Sequence, residues 1–183
     1  MRQVPKELLL IEAYTNFALE IAKVGACERA QVGCVLTPPD MHNVMAVGYN
    51  GPASGLPNKC ARPDEPGNCG CVHAETNACI KATPGPKWAF ISIPPCARCA
   101  AALINAGVEC VVYAGTPHRE MTEGIDLLEQ AGIPCGTPEQ IIEAFIDSSA
   151  VEEDSSPRSR FEGDWDADDF AEAKRQASRI SEG

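Results

Sequence analysis

Two short stretches limit what this chain can fold into: His73-Ala74-Glu75 and Pro95-Cys96-Ala97-Arg98-Cys99. Two cysteines three apart can present both thiolates to one Zn²⁺ from the first turn of a helix, and a histidine elsewhere adds a third ligand. The fold must therefore carry two separate helix starts to one point. Three protein ligands leave a tetrahedral metal one open position, as in a catalytic rather than a sealed site. Water in that position falls from a pKa of ~15.7 to about 7, so hydroxide becomes available at neutral pH. Glu75 lies two residues past the histidine and is not needed as a ligand, so it can take and return a proton. The bland alternative is a structural Cys/His knuckle, with Glu75 an ordinary acid in a first helical turn. Such a site would want a fourth Cys or His nearby and has no use for Pro95 or Glu75.

The rest of the chain supplies the elements. Residues 5–24 read as a helix with Pro5 in its first turn, apolar Leu9, Ala13, Phe17, Ile21 and Val24, and Gly25 as a stop. Residues 31–37 and 44–50 are strands joined through Pro38-Pro39-Asp40, a hairpin. Residues 51–71, with four Gly and four Pro, are loop. Helices follow at 73–82, 96–106 and 122–131, and strands at 87–93, 108–114 and 133–135. Thr137-Pro138-Glu139-Gln140 is spaced as a capping box and starts a helix to about residue 146. A hairpin followed by alternating helices and strands predicts a three-layer α/β/α sandwich on a mixed sheet. In it the two metal-bearing helices start side by side, and their dipoles favour the thiolates.

At 183 residues the chain suits one domain, residues 1–146, with 147–183 set apart as an acidic tail. The tail holds 11 acids and 5 bases, a composition that stays solvated, or docks through Phe161, Trp165 and Phe170. The net charge of −11 argues against broad binding of nucleic acid. Ten cysteines without an export signal suit a reducing, cytoplasmic setting. Cys34, Cys79, Cys110 and Cys135 fall in helix or strand patterns and read as small core residues.

The pattern His-x-Glu…Pro-Cys-x-x-Cys is the signature of zinc-dependent nucleobase deaminases. With Gly48-Tyr49-Asn50-Gly51, His73-Ala74-Glu75-Thr76-Asn77-Ala78 and Pro94-Pro95-Cys96-Ala97-Arg98-Cys99-Ala100, the chain resembles the deoxycytidylate (dCMP) deaminase family over residues 5–146. Gln31-Val32-Gly33-Cys34-Val35 and the segment from Ala106 to Tyr113 are similar to that family too. The resemblance implies hydrolysis of dCMP to dUMP and ammonia, often in a hexamer regulated by dCTP and dTTP. It implies that His73, Cys96 and Cys99 hold zinc, that Glu75 shuttles the proton, and that Asn50 contacts sugar or base. Asn50 could equally be a plain turn residue. Tyr113 either lines the pocket or is an ordinary strand aromatic. The turn Gly51-Pro52-Ala53-Ser54-Gly55 and the pair Ile93-Pro94 depart from the family's usual pattern.

Cys27, Cys60, Cys69 and Cys71 form a second group. Relatives carry a structural zinc with cysteines matching Cys27 and Cys60, and four thiolates would fix a loop too polar to fix itself. The alternative is free loop thiols. Arg29 is the first candidate for the substrate phosphate, ahead of Lys59 and Arg62. The alternatives to a dCMP deaminase are a same-fold deaminase of another base or of nucleic acid, and an inactive zinc-binding module.

Overall fold

Strand residues of this chain alternate, and the two sets they form go to opposite faces of one sheet. The computed structural model describes residues 6–65, 69–115 and 122–149. Its strands are β1 (Gly33–Thr37), β2 (Ala46–Tyr49), β3 (Lys87–Ile91), β4 (Val108–Tyr113) and β5 (Cys135–Gly136). They lie in the order β2-β1-β3-β4-β5, with β1 antiparallel to both neighbours and β3, β4 and β5 parallel. The helices are α1 (Lys6–Ala22), α2 (Ala74–Lys81), α3 (Ala97–Asn105), α4 (Thr122–Gln130) and α5 (Pro138–Ser149).

Cys34, Leu36, Ala89, Ile91, Val111 and Tyr113 point to the face covered by α2, α3 and α4, where they meet Ala78, Leu103 and Leu128. Val35, Trp88, Phe90, Cys110 and Val112 point the other way, onto Ile11 and Ala18 of α1 and Ile141 and Ile142 of α5. The result is the expected three-layer α/β/α sandwich with a mixed sheet. Cys34 and Cys110 are buried in it, while Cys79 and Cys135 are only half-buried.

The element ends shift by a few residues for local reasons. β1 begins at Gly33 rather than 31 because the Val32 N–H is taken by the Asn50 side chain and its carbonyl by the Asn50 N–H. β5 lies at 135–136 rather than 133–135; Pro134 has no N–H to give and joins only by accepting from Val111. The last helix runs to Ser149, so a domain boundary at 146 would fall inside it. The acidic tail from 150 onward lies outside the described residues.

One glycine sets the height of the site over the sheet. A Cβ at Gly48 on β2 would collide with the Ala74 carbonyl and the Ala78 N–H, so the start of α2 sits directly on the strand. That contact places the residues just before Ala74.

Candidate active site

His73 and Cys96 are the N-cap residues of α2 and α3, with extended backbones, and neither side chain caps its own helix. Their carbonyls accept the first helical bonds, from Asn77 N–H (3.0 Å) and Ala100 N–H (2.9 Å). Both side chains are thus spare for another partner, and they turn to each other. His73 Nδ1 lies 3.7 Å from Cys96 Sγ and 3.3 Å from Cys99 Sγ. The three donor atoms lie within 4.8 Å of one another. A tetrahedral zinc with bonds of ~2.0–2.3 Å spaces its ligand atoms roughly 3.5 Å apart, so this donor set fits the metal.

The electrostatics suit a cation as well. Hydrogen bonds from the Cys99 thiol and His73 hold Cys96 down to about 3, while Cys99, bonded to Cys96 and buried, is pushed far up. One thiolate and one thiol thus share the site, and a bound metal would displace the remaining proton. The bond to Cys96 raises His73. Glu75, only 3% exposed, is pushed up by burial, against the opposing pull of backbone hydrogen bonding, the His73 charge and a bond from Cys99. A carboxyl in that setting holds a proton more readily than one in water.

A cavity of about 310 Å³ opens at this group, within the size range of small-molecule sites. Cys27, Arg29, Asn50, Cys69, Cys71, His73, Glu75 and Cys96 all contribute to its lining, and Arg29 is the one Lys or Arg among the described residues that do. Its apolar walls come from Ala30, Val32, Ala74, Ile93 and Pro94. The motifs did not announce those walls, because each is an ordinary strand or loop residue in its local pattern. Ile93-Pro94 alone stood out, as a departure.

Asn50 is buried at 6% exposure and already engaged. Its Oδ1 accepts from Val32 N–H (2.9 Å) and its Nδ2 donates to Ala30 O (2.7 Å). One N–H and one lone pair remain for a ligand. Gly51 and Val72 exchange both backbone hydrogen bonds, 3.1 and 2.7 Å, which closes the long loop at its base and sets Asn50 close to His73.

The second cysteine group also assembles. Cys60, Cys69 and Cys71 bring their sulfurs within 4.8 Å of one another. Cys69 is lowered by the Cys71 N–H first, and by side-chain bonds from Cys71, Cys60 and Arg29, while Cys71 is pushed up to about 12 by burial and by the Cys69 and Cys60 sulfurs. Cys27 stands outside this trio, although it is buried and lines the same cavity. The reason is its place in the chain: it follows α1, in a segment held by the Ala26 N–H bond to Asn50 O, while the other three share one loop. Tyr113 is a correction. At 5% exposure it packs in the core under α3 and α4, opposite Ile91, and is not among the cavity's lining residues. It ends β4 inside the sheet, so its ring is strand core.

Fold and site together define a metal-binding α/β/α domain with a half-open ligand set beside a buried acid. The model of the cytidine and deoxycytidylate deaminase zinc-binding region matches residues 10–115, and the chain belongs to that zinc-dependent deaminase family. Among solved structures, it is similar to the dCMP deaminase of cyanophage S-TIM5 in complex with dCMP and dUMP. The two are 30% identical, with 74% of this chain and 99% of that one covered and a TM-score of 0.64. The apo form of the phage enzyme gives 31% identity, 69% and 95% coverage, and a TM-score of 0.58. A diaminohydroxyphosphoribosylaminopyrimidine deaminase/reductase from Thermotoga maritima is 19% identical, with 80% of this chain and 43% of that one covered. Its TM-score of 0.53 shows the shared fold alone. No curated protein sequence matches. No helix among the described residues is long and apolar enough to cross a membrane.

Proposed function

We propose that this deaminase acts on dCMP, releasing ammonia and leaving dUMP. The observation that carries the reading is the buried Glu75 beside His73, Cys96 and Cys99, in a cavity whose lining holds one arginine and one buried asparagine. The similarity to a phage enzyme bound to dCMP and dUMP supports the choice of nucleotide.

Zn²⁺ held by His73, Cys96 and Cys99 would supply an activated water. Glu75 would move the two protons of that water, one to N3 of the pyrimidine as the water oxygen adds to C4 and one to the amine as the C4–N bond breaks and ammonia leaves. Burial pushes Glu75 above the usual carboxylate range, which brings it closer to the working range of a group that both takes and returns protons. Asn50 uses its remaining N–H and lone pair on the sugar or the base edge, held rigid by residues 30 and 32. The apolar walls hold the ring and keep bulk water away. Arg29 receives the 5′-phosphate, for which a guanidinium fork is well matched.

Cys60, Cys69 and Cys71 would hold a second, structural zinc, with Cys27, which is buried and lines the same cavity, the candidate for a fourth ligand. Homo-oligomeric assembly and a response to dCTP and dTTP belong to the same reading and are open to sedimentation and to assays with added effector. The reading is tested by ammonia release from dCMP, CMP, 5-substituted dCMP, dCTP, cytidine, guanine and adenine. Turnover should be greatest on dCMP or its 5-substituted form. Turnover of a free purine with none of dCMP would replace this substrate with another of the same fold, and no turnover at all would favour an inactive zinc-binding module.

A further inference from the structure

Between α1 and β1, residues 26–30 form a short loop that bends at Glu28 and Arg29 and brings Cys27, Arg29 and Ala30 to the cavity wall. Asn50 holds both ends of this loop. Its carbonyl accepts from Ala26 N–H (3.0 Å), its Nδ2 donates to Ala30 O (2.7 Å), and its Oδ1 accepts from Val32 N–H (2.9 Å). The chain leaving α1 lies so close on that carboxamide that a Cβ at Gly25 would collide with Oδ1. Gln31 ties the loop a second time, from outside. Its Nε2 donates to Gly25 O (2.9 Å) and Lys23 O (3.3 Å), so it reaches back across the loop to the turn that ends α1. Gln31 is itself exposed and is not among the cavity's lining residues.

A cationic side chain on a free loop must be ordered together with its backbone when an anion binds, and that cost subtracts from affinity. In a loop closed at both ends, folding has already ordered the backbone part. We propose that Gln31 and Asn50 are positioning residues for the 5′-phosphate of the nucleotide: together they close the 26–30 loop and hold Arg29 at the cavity. The proposal rests on the nucleotide reading above. It assigns a task to Gln31, which lies outside the cavity, and gives Asn50 one distinct from its contact with sugar or base. The two tasks of Asn50 separate cleanly. Loss of a sugar or base contact weakens phosphorylated and unphosphorylated ligands alike, whereas loss of the loop weakens only the phosphorylated one.

The experiment measures equilibrium binding of dUMP and of deoxyuridine by calorimetry, with zinc content determined for every variant. The quantity read is the ratio of the two dissociation constants, which a general softening of the fold leaves unchanged. Wild type should favour dUMP by roughly tenfold or more, the scale of a charge-assisted hydrogen bond. Arg29→Gln should abolish that preference. Gln31→Met keeps the length of the side chain and removes its donor. It should lower the ratio by roughly threefold or more, the scale of ordering one long side chain on binding, with deoxyuridine affinity unchanged. Asn50→Ala should lower the ratio further and weaken deoxyuridine as well. Gln31→Met combined with Arg29→Gln should lose no more preference than Arg29→Gln alone, because Gln31 acts through Arg29.

A wild-type ratio in Gln31→Met overturns the proposal, and this exposed position decides the matter even where Asn50→Ala fails to fold. Asn50→Ala that weakens both ligands equally overturns the positioning role of Asn50. Wild type that binds both ligands equally removes the phosphate subsite and this proposal with it, while turnover of dCMP would leave the deaminase reading standing. Wild type that binds neither and deaminates another base overturns that reading too.

Discussion

His73, Cys96 and Cys99 stand at two helix starts that the sheet holds from below, whereas Cys60, Cys69 and Cys71 stand in one loop closed at its base by the Gly51–Val72 pair. Both groups reach the same cavity and both bring three sulfur or nitrogen donors within 4.8 Å. They differ in what enforces that closeness. α2 is seated on Gly48, and Gly124 of α4 packs against the Pro95 carbonyl with no room for a Cβ, so the first group is fixed by backbone on backbone. The loop group lies in a segment rich in Gly and Pro and poor in apolar residues, and depends on its own sulfurs and whatever they bind. A site held by the fold can lose its metal and keep its shape; a site held by its metal cannot.

That contrast sets the order of expected effects. The largest belongs to Glu75. Glu75→Gln should keep the fold and the zinc content of wild type yet lose at least ~10²-fold in rate, the usual range for a general acid–base group. Metal analysis beside steady-state ammonia release checks it, and near wild-type turnover would remove Glu75 from the proton path.

Next comes the loop. Cys60→Ser should lower zinc from two ions per chain to one, with residues 51–71 becoming cleavable by protease while the sheet stays intact. Turnover should fall by up to ~10²-fold, because Asn50 lies at the base of the loosened loop and a shift of ~1 Å can cost that much. Wild type containing a single zinc, or the same zinc count after the substitution, would dissolve the difference between the two groups.

A smaller effect is expected at the seat of the first group. Gly48→Ala puts a methyl against the Ala74 carbonyl and should cost ~1–3 kcal/mol in denaturant unfolding, as overpacking does. Activity should drop with stability there, since the displaced residues adjoin His73. A Gly48→Ala protein as stable and active as wild type would show that the first group does not depend on this close approach.

The smallest change is expected from the acidic end. A chain ending at Ser149 should bind zinc and deaminate within a few-fold of the full-length protein, because residues 150–183 are acidic and poor in apolar side chains, a composition that adds little to a core. Loss of assembly or solubility would instead assign Trp165 and Phe170 a docking role.

The sequence alone carried the chemistry-bearing residues and the layer order. His73-x-Glu75 and Cys96-x-x-Cys99 were legible because a metal demands particular donors at helical spacing, and the alternation of helix and strand patterns demanded a sheet covered on both faces. Tyr113 could not be resolved that way: a strand aromatic looks the same whether it faces a cavity or the core, and only the register opposite Ile91 under α3 and α4 decided for the core. Nor could spacing show that Cys27 stands apart from Cys60, Cys69 and Cys71, since loop sulfurs meet through backbone turns that no periodicity records. Asn50 is the plainest case. Its position was marked by a turn, but that its carboxamide ties residues 30 and 32 together while lining the cavity is a matter of contacts between segments far apart in the chain. Local pattern determines which groups are present; tertiary packing decides which of them share a cavity.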